Sequence, residues 1–241
     1  MNRHARRLIS VVTGFLFPRQ CAGCQRAVAR GWWCPECRQK LVPIREPRCE
    51  RCSHPFEGVL HGKFLCPNCE DRTFHFESAV AVMSSRGVVR ELIHGLKYRS
   101  MAWAARPLGE MGFNGLRDPR LGDVPDVLVP VPLHPLRRRE RGYNQSLLLA
   151  REMGRRSRIP VAGLLRRIRN TPTQTHFDRA RRMKNLKKAF VVAPGVGERI
   201  RGANVLLVDD VVTTGSTFDE CARTLLEAGA DRVSALAIGR G

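Results

Sequence analysis

The sequence predicts an α/β protein with an open parallel sheet and helices on both faces, preceded by a small cysteine-rich domain. The apolar run at 205–208 is typical of a parallel strand buried on both faces, and an amphipathic helix follows it. A second apolar run, at 126–132, also leads into a helix, from Leu147 onwards. Paired cysteines fill the region before residue 70. Strands that alternate with helices predict the sheet, and the cysteines predict the separate small domain.

Length and composition allow one medium-sized domain and a small one. The chain has 241 residues, of which 43% are hydrophobic, enough for a buried core. Its formal net charge of +20 requires Lys and Arg over much of the surface. Such a surface favours the binding of polyanions such as nucleic acid or an anionic membrane face. Part of the charge could instead neutralise a bound diphosphate or simply be solvated.

The amino terminus, residues 1–19, is predicted to be an amphipathic helix. Its arginines and the apolar segment at 8–17 imitate an export signal. However, no small-residue cleavage site follows, the apolar run is too short to span a bilayer, and Pro18 would end a helix. We expect this helix to dock on the protein or to lie against a membrane surface.

Residues 20–75 are predicted to form a double zinc ribbon. Two CxxC turns present four thiolates, which close a tetrahedral zinc site with no open position, so four such turns predict two structural zinc ions. Sequential pairing is preferred, although a cross-braced arrangement satisfies the same spacing. Disulfides in a secreted protein are the competing interpretation. The predicted ligands are Cys21, Cys24, Cys34, Cys37, Cys49, Cys52, Cys66 and Cys69.

Between the cysteines and the sheet, a strand is predicted at 75–83 and a helix at 87–98. Apolar residues of the helix recur at the spacing of one buried face. Its basic residues fall on the other face, where solvation is the default explanation, although Lys97 and Tyr98 could enter a site at the helix end. Prolines and glycines at 106–126 predict a short helix and a loop.

Two adjacent carboxylates, Asp209 and Asp210, follow the apolar run at 205–208. Ligands of open α/β sheets bind at the carboxyl ends of the strands, where these acids would accept hydrogen bonds from vicinal hydroxyls. A hydroxyl-rich loop and a helix start come next and form a nest for one phosphate. The acids could instead only cap the helix. The loop comprises Thr213, Thr214, Gly215, Ser216 and Thr217.

This block resembles the phosphoribosyl pyrophosphate (PRPP) signature of the type I phosphoribosyltransferases. The resemblance implies that Asp209 and Asp210 hold the ribose hydroxyls and that residues 213–217 bind the 5′-phosphate, with Mg²⁺ on the pyrophosphate. It also implies attack at the anomeric carbon, with arginines stabilising the charge on the leaving diphosphate.

A basic segment at 131–144 joins the strand at 126–132 to its helix. Crowded arginines are costly unless they are solvated or answered by an anion such as diphosphate. The segment resembles the loop of the type I transferases that contacts pyrophosphate. The residues so implicated are Val131, Pro132, Arg137, Arg141 and Asn144.

Residues 166–190 are polar, basic and rich in threonine, and Pro172 interrupts any helix. They are predicted to form a mobile flap that closes over PRPP to exclude water, or alternatively an open basic flap that lies along a nucleic-acid strand. Candidate closing contacts are Arg169, Thr171, Gln174, Thr175 and Arg182.

Taken together, the four CxxC pairs, the KY dipeptide at Lys97, the RERGYNQ block, the T-x-x-Q-T flap and the VDDVVTTGST signature resemble the ComF family. The resemblance implies a phosphoribosyltransferase-like domain at 76–241 and a role in natural competence, the uptake of single-stranded DNA. Implied partners are PRPP, single-stranded DNA, a DNA-uptake helicase and the inner face of the membrane, with a cytoplasmic location. Either a PRPP-binding module or an active transferase with an unidentified acceptor satisfies these features.

Overall fold

The computed structural model describes residues 19–58, 60, 62–170 and 186–241. The predicted amino-terminal helix therefore falls outside the described residues, apart from Arg19. Within the described ranges, we find no helix with the length and apolar character that crossing a membrane requires.

The central sheet has four strands, all of whose pairings are parallel. A separate two-stranded antiparallel hairpin joins β3 to β4. The strands are β1 (Ala79–Ser84), β2 (Val127–Pro130), β3 (Leu165–Arg167), β4 (Phe190–Val192), β5 (Asn204–Val212) and β6 (Arg232–Arg240). The order in the central sheet is β1, β6, β5, β2. This confirms the predicted parallel α/β sheet.

Seven helices and three short 3₁₀ turns are described. The helices are α1 (Pro35–Gln39), α2 (Pro67–Glu70), α3 (Gly87–Tyr98), α4 (Ala105–Gly115), α5 (Pro135–Arg141), α6 (Gln145–Ser157) and α7 (Ser216–Glu227). The 3₁₀ turns are Ala102–Ala104, Pro119–Leu121 and Gly197–Arg199. The helix predicted at 87–98 is confirmed with these bounds. The short helix predicted within 106–126 is α4, and a loop with one 3₁₀ turn follows it.

Each face of the sheet has its own apolar core. Helices α3, α4 and α6 cover one face, where Leu96 and Leu149 pack with Leu206 of β5. On the other face, α7 and the β3–β4 hairpin share a core with Leu207 and with the second cysteine group, which comprises Cys49, Cys52, Cys66 and Cys69. We call these the three-helix face and the α7 face, and the first cysteine group comprises Cys21, Cys24, Cys34 and Cys37. Helices thus lie on both faces as predicted, but on the second face α7 shares the cover with the hairpin and the ribbon.

The two cysteine groups lie against opposite faces of the sheet. The first ribbon contributes Ala22 to the core of the three-helix face, and the second contributes its four cysteines to the core of the α7 face. Residues 42–44 connect them along the outer edge of β1, where Ile44 N–H donates to Val82 O at 3.0 Å and Ser84 N–H donates to Val42 O at 2.8 Å. The small domain therefore packs against the sheet on both faces.

Two segments differ from the sequence-based expectation. The basic segment after β2 contains the helix α5, because Pro135 lies in its first turn, His134 caps it and Gly142 ends it at a φ of 81°. The ends of the predicted flap at 166–190 pair as β3 and β4, because Leu165 and Phe190 are buried in the core of the α7 face. The basic segment therefore contains a helix, and both ends of the predicted flap segment are strands.

Candidate functional site

The two acids lie within β5 and not beyond it. β5 continues to Val212 because β6 pairs with it throughout, with Asp209 opposite Ala237. On its other side β2 ends at Pro130, which is opposite Val208. The acids therefore lie beyond the carboxyl end of the neighbouring strand, at an open position of the sheet.

Successive side chains of a strand point to opposite faces, and this separates the two acids. Asp209 shares the α7 face with Leu207 and is partly exposed. Asp210 shares the three-helix face with Val208 and is only 2% exposed. The acids are thus neighbours in sequence that differ in surroundings and in access to solvent.

Asp210 is held by two donors from the three-helix face. The Lys97 ammonium, at the end of α3, lies 2.5 Å from its Oδ2, and Gln145 Nε2 donates to its Oδ1 at 3.5 Å. Burial by itself lowers the pKa of Lys97, but the charges of Asp210 and Asp209 outweigh it, so the pKa lies above its usual value. Lys97 therefore stays charged and neutralises the buried carboxylate.

Asp209 accepts hydrogen bonds on a single oxygen. Ser146 Oγ donates to its Oδ1 at 2.7 Å, and the Asp210 N–H donates to the same atom at 2.9 Å. Burial raises the pKa of Asp209 to about 7, the Asp210 carboxylate adds to this rise, and Lys97 opposes it. Burial thus disfavours the ionised form of Asp209, which a further hydrogen-bond donor would stabilise.

Both donors that α6 supplies depend on the way the helix begins. Asn144 is its N-cap: Oδ1 accepts from Ser146 N–H at 3.1 Å, and Nδ2 donates to Val131 O at 3.0 Å. Asn144 therefore joins the end of β2 to the start of α6 and fixes Gln145 and Ser146 beside the acids. Asn144 was among the residues predicted from the sequence, whereas Gln145 and Ser146 were not, although both follow Asn144 directly in the NQS run after the basic segment.

The hydroxyl-rich loop turns sharply into α7. Gly215 has a φ of 79°, the left-handed region that favours glycine, and α7 begins at the next residue. Thr214 Oγ1 lies 3.0 Å from Ser216 Oγ and accepts from Ser216 N–H at 3.4 Å, while Thr213 is exposed. Backbone N–H groups at the start of a 12-residue helix, among hydroxyls, form an anion-binding geometry.

The arginines of α5 divide into two kinds. Arg138 and Arg139 are exposed, whereas Arg137 and Arg141 are partly buried. Arg141 Nη1 donates to Gln145 Oε1 at 2.5 Å, and its guanidinium lies 5.5 Å from the centroid of the Tyr98 ring. Through Gln145, the structure connects Arg141 to Asp210.

The flap residues are only partly described. Arg169, near the foot of the β3–β4 hairpin, is exposed and donates to Lys187 O at 2.9 Å. The other candidates, Thr171, Gln174, Thr175 and Arg182, lie outside the described residues.

The eight CxxC cysteines form two groups of four thiols. In each group the Sγ atoms all lie within 4.8 Å of one another. Backbone N–H groups of Cys34 and Cys66 donate to the Sγ atoms of Cys21 and Cys49, both at 3.3 Å, as suits thiolates. Four thiols on two tight turns fit a structural tetrahedral zinc. The groups are Cys21, Cys24, Cys34, Cys37 and Cys49, Cys52, Cys66, Cys69, so the sequential grouping is confirmed.

Two domain families match the chain. Residues 12–70 match the double zinc ribbon domain, and residues 144–238 match the phosphoribosyl transferase domain. The protein thus combines a double zinc ribbon with a phosphoribosyltransferase-like α/β fold.

Curated relatives match this chain over most of their length. Competence protein F of Haemophilus influenzae is 28% identical over 88% of this chain and 92% of its own. DNA utilization protein YhgH of Escherichia coli is 33% identical over 90% of this chain and 94% of its own. Competence protein ComFC of Bacillus subtilis is 29% identical over 81% of this chain and 78% of its own. The chain belongs to the ComF family.

Proposed function

We propose that this protein binds PRPP at the end of β5 and acts in the uptake of single-stranded DNA during natural competence. The observation that carries the first part is the acid pair fixed by Ser146, Gln145 and Lys97, directly before the anion-binding loop. The names of the relatives, which refer to competence and to DNA utilization, support the second part.

The ribose and its phosphate would bind across β5 and the loop. Asp209 is the partly exposed acid and lies on the same face of the sheet as α7. Its carboxylate would therefore accept hydrogen bonds from the ribose hydroxyls. Asp210 would support the ribose site beside it, with its charge neutralised by the ion pair with Lys97. The 5′-phosphate would accept hydrogen bonds from the N–H groups and hydroxyls of residues 213–217.

The pyrophosphate of the ligand, with Mg²⁺, would bind at the carboxyl end of β2. Arg137 and Arg141 of α5 supply the cationic groups there. Val131 and Pro132 would line the strand end beside the pyrophosphate. Asn144 has both ends of its amide occupied within the protein and would position this segment. Arg169, Thr171, Gln174, Thr175 and Arg182 would close over the ligand from the flap.

Calorimetric titration with PRPP, with and without Mg²⁺, tests the binding proposal. We expect a single site in the presence of Mg²⁺ and a loss of affinity of about tenfold or more in Asp209→Asn, because the neutral amide is a weaker acceptor for hydroxyls. Asp231→Asn, an exposed acid remote from the loop, is the matched control. No heat with the wild-type protein would exclude the proposal.

The second candidate is an active Mg²⁺-dependent phosphoribosyltransferase with an unidentified acceptor. The two cations Lys97 and Arg141 favour it, because Lys97 pairs with Asp210, Arg141 is joined to Asp210 through Gln145, and both would stabilise the charge of a leaving diphosphate. The bond between the anomeric carbon and the pyrophosphate oxygen would break, the electron pair would leave with pyrophosphate, and the acceptor atom would bond to the carbon. PRPP consumption with candidate acceptors that Asp210→Asn abolishes supports turnover, whereas binding without consumption supports a binding module.

The DNA role rests on charge as well as on the relatives. The net charge is +20, and Arg138 and Arg139 project from α5. We propose that these basic surfaces contact single-stranded DNA, that the ribbons contact a DNA-uptake helicase, and that the protein works in the cytoplasm at the inner face of the membrane. Affinity for single-stranded DNA that does not fall with rising salt would contradict the first of these contacts.

A further inference from the structure

We propose that the second zinc ribbon, with the ligands Cys49, Cys52, Cys66 and Cys69, holds the anion-binding loop in shape and thereby raises the affinity of the loop for a phosphorylated ligand. Asn68 and Arg72 are the positioning residues. The effect on ligand affinity rests on the proposed function, whereas the effect on the conformation of the loop concerns the protein without ligand.

Two side chains of the second ribbon donate hydrogen bonds to one backbone carbonyl of the loop. Asn68 Nδ2 donates to Thr214 O at 3.3 Å, and Arg72 Nη1 donates to the same oxygen at 3.4 Å. A trans peptide is planar, and its C=O and the next N–H point in opposite directions. Fixing the Thr214 carbonyl towards the ribbon therefore turns the Gly215 N–H away from it, towards the side that an anion would occupy.

The position of both side chains depends on the cysteine group. Asn68 lies in α2 between Cys66 and Cys69, and its Nδ2 also lies 3.8 Å from Cys69 Sγ. A four-residue helix has no stability of its own, so the metal ligands at its ends keep α2 folded. Arg72 follows closely, with its guanidinium 4.3 Å from the centroid of the Phe74 ring.

The contact continues beyond this carbonyl. A Cβ on Gly215 would lie 3.3 Å from ring atoms of both Phe74 and Phe76, so the turn of the loop lies directly against these rings. Asp219 Oδ1, in α7, accepts from His75 N–H at 2.8 Å and lies 2.9 Å from His75 Nδ1. The ribbon and the segment that follows it thus contact the loop and the start of its helix at successive points.

The first ribbon supplies an internal control. Its CPxC turn has Glu36 where the second has Asn68, and Lys40 where the second has Arg72. Glu36 pairs with Arg26 within the first ribbon and makes no contact with the loop among the described residues. The variants to compare are therefore Asn68→Ala/Arg72→Met and Glu36→Ala/Lys40→Met.

Hydrogen exchange of residues 213–217 without ligand is the deciding measurement, together with zinc content and PRPP affinity with Mg²⁺. We expect Asn68→Ala/Arg72→Met to keep both zinc ions, to exchange about tenfold faster in the loop and to bind PRPP about tenfold more weakly. Glu36→Ala/Lys40→Met should match the wild type in all three.

Unchanged exchange in the loop of Asn68→Ala/Arg72→Met would overturn the inference. If the wild-type protein bound no PRPP, the proposed function would fail, while the exchange measurement would still decide the role of the ribbon. If the double variant lost zinc, Asn68→Ala and Arg72→Met would be measured singly, with the same outcomes.

Discussion

At the scale of single residues, the two acids of the site differ in how their negative charges are compensated. Asp210 forms an ion pair with Lys97, whereas Asp209 accepts hydrogen bonds from Ser146 Oγ and from the Asp210 N–H. Removing one partner of a buried ion pair leaves an uncompensated charge, and a carboxylate with a raised pKa opposes folding when it ionises. Each acid therefore leads to a separate prediction.

Lys97→Met should destabilise the protein by about 3 kcal/mol, because it leaves the Asp210 carboxylate buried without its counter-ion. Asp210→Asn in the same chain should recover a large part of this loss. Chemical denaturation of the two single variants and the double variant measures the coupling. Additive losses would show that the ion pair carries no coupling energy.

Asp209→Asn should raise the unfolding temperature of the ligand-free protein in a pH-dependent way. The folded pKa, about 7, lies above the unfolded one, so the wild type loses stability as pH rises towards 7 and no further above it. The variant keeps the Oδ1 acceptor and is free of this loss. Thermal unfolding between about pH 5.5 and about pH 8 should show a gain of a few degrees that grows up to about pH 7 and then levels.

Asp231→Asn, an exposed acid, is the control for that series and should show no such trend. A gain in Asp209→Asn that does not vary with pH would mean that the ionisation of Asp209 does not oppose folding.

At the scale of elements, the anion loop depends on a turn that only glycine fits well. Gly215 combines a positive φ with close contact to two rings, whereas Gly142, at the end of α5, has a φ of 81° and open space where a Cβ would lie. The two positions share the same backbone conformation and differ in what an added methyl group would meet.

Gly142→Ala should cost about 1 kcal/mol through backbone strain alone, and Gly215→Ala should cost about 1 kcal/mol more because its Cβ displaces the Phe74 and Phe76 rings. Denaturant unfolding of both variants measures the difference. Equal losses would show that the rings yield without cost.

The sequence was sufficient for the elements that carry a local pattern. Apolar runs predicted β2 and β5, the 3.6-residue period predicted α3, and CxxC spacing predicted both cysteine groups. It did not predict that β5 continues through Asp209 and Asp210, because that extension comes from pairing with β6. Nor did it predict Asn68 and Arg72 against the loop, because that contact joins segments far apart in sequence.

At the scale of the whole molecule, the two cysteine groups make unequal contributions to the fold. The second is part of the core of the α7 face, with Cys49 and Cys52 fully buried. The first has a small core of its own, and Cys24 reaches the surface. Loss of metal from the two groups should therefore have different consequences.

Cys24→Ser should reduce the zinc content to about one ion per chain and leave the sheet folded, whereas Cys52→Ser should abolish cooperative unfolding of the sheet as well. Metal analysis with thermal unfolding distinguishes these outcomes. Cys221→Ser, a buried thiol outside both groups, should retain two zinc ions. Equal effects of the first two substitutions would contradict the inequality.

Both outer strands of the sheet are flanked by further backbone. Residues 42–44 lie along β1, and Leu128 of β2 exchanges backbone hydrogen bonds with the segment at 160–162. An uncovered strand edge is where sheets of separate molecules join and where aggregation starts. Within the described ranges, edge-to-edge β pairing of two molecules through β1, or through β2 at Leu128, is therefore obstructed.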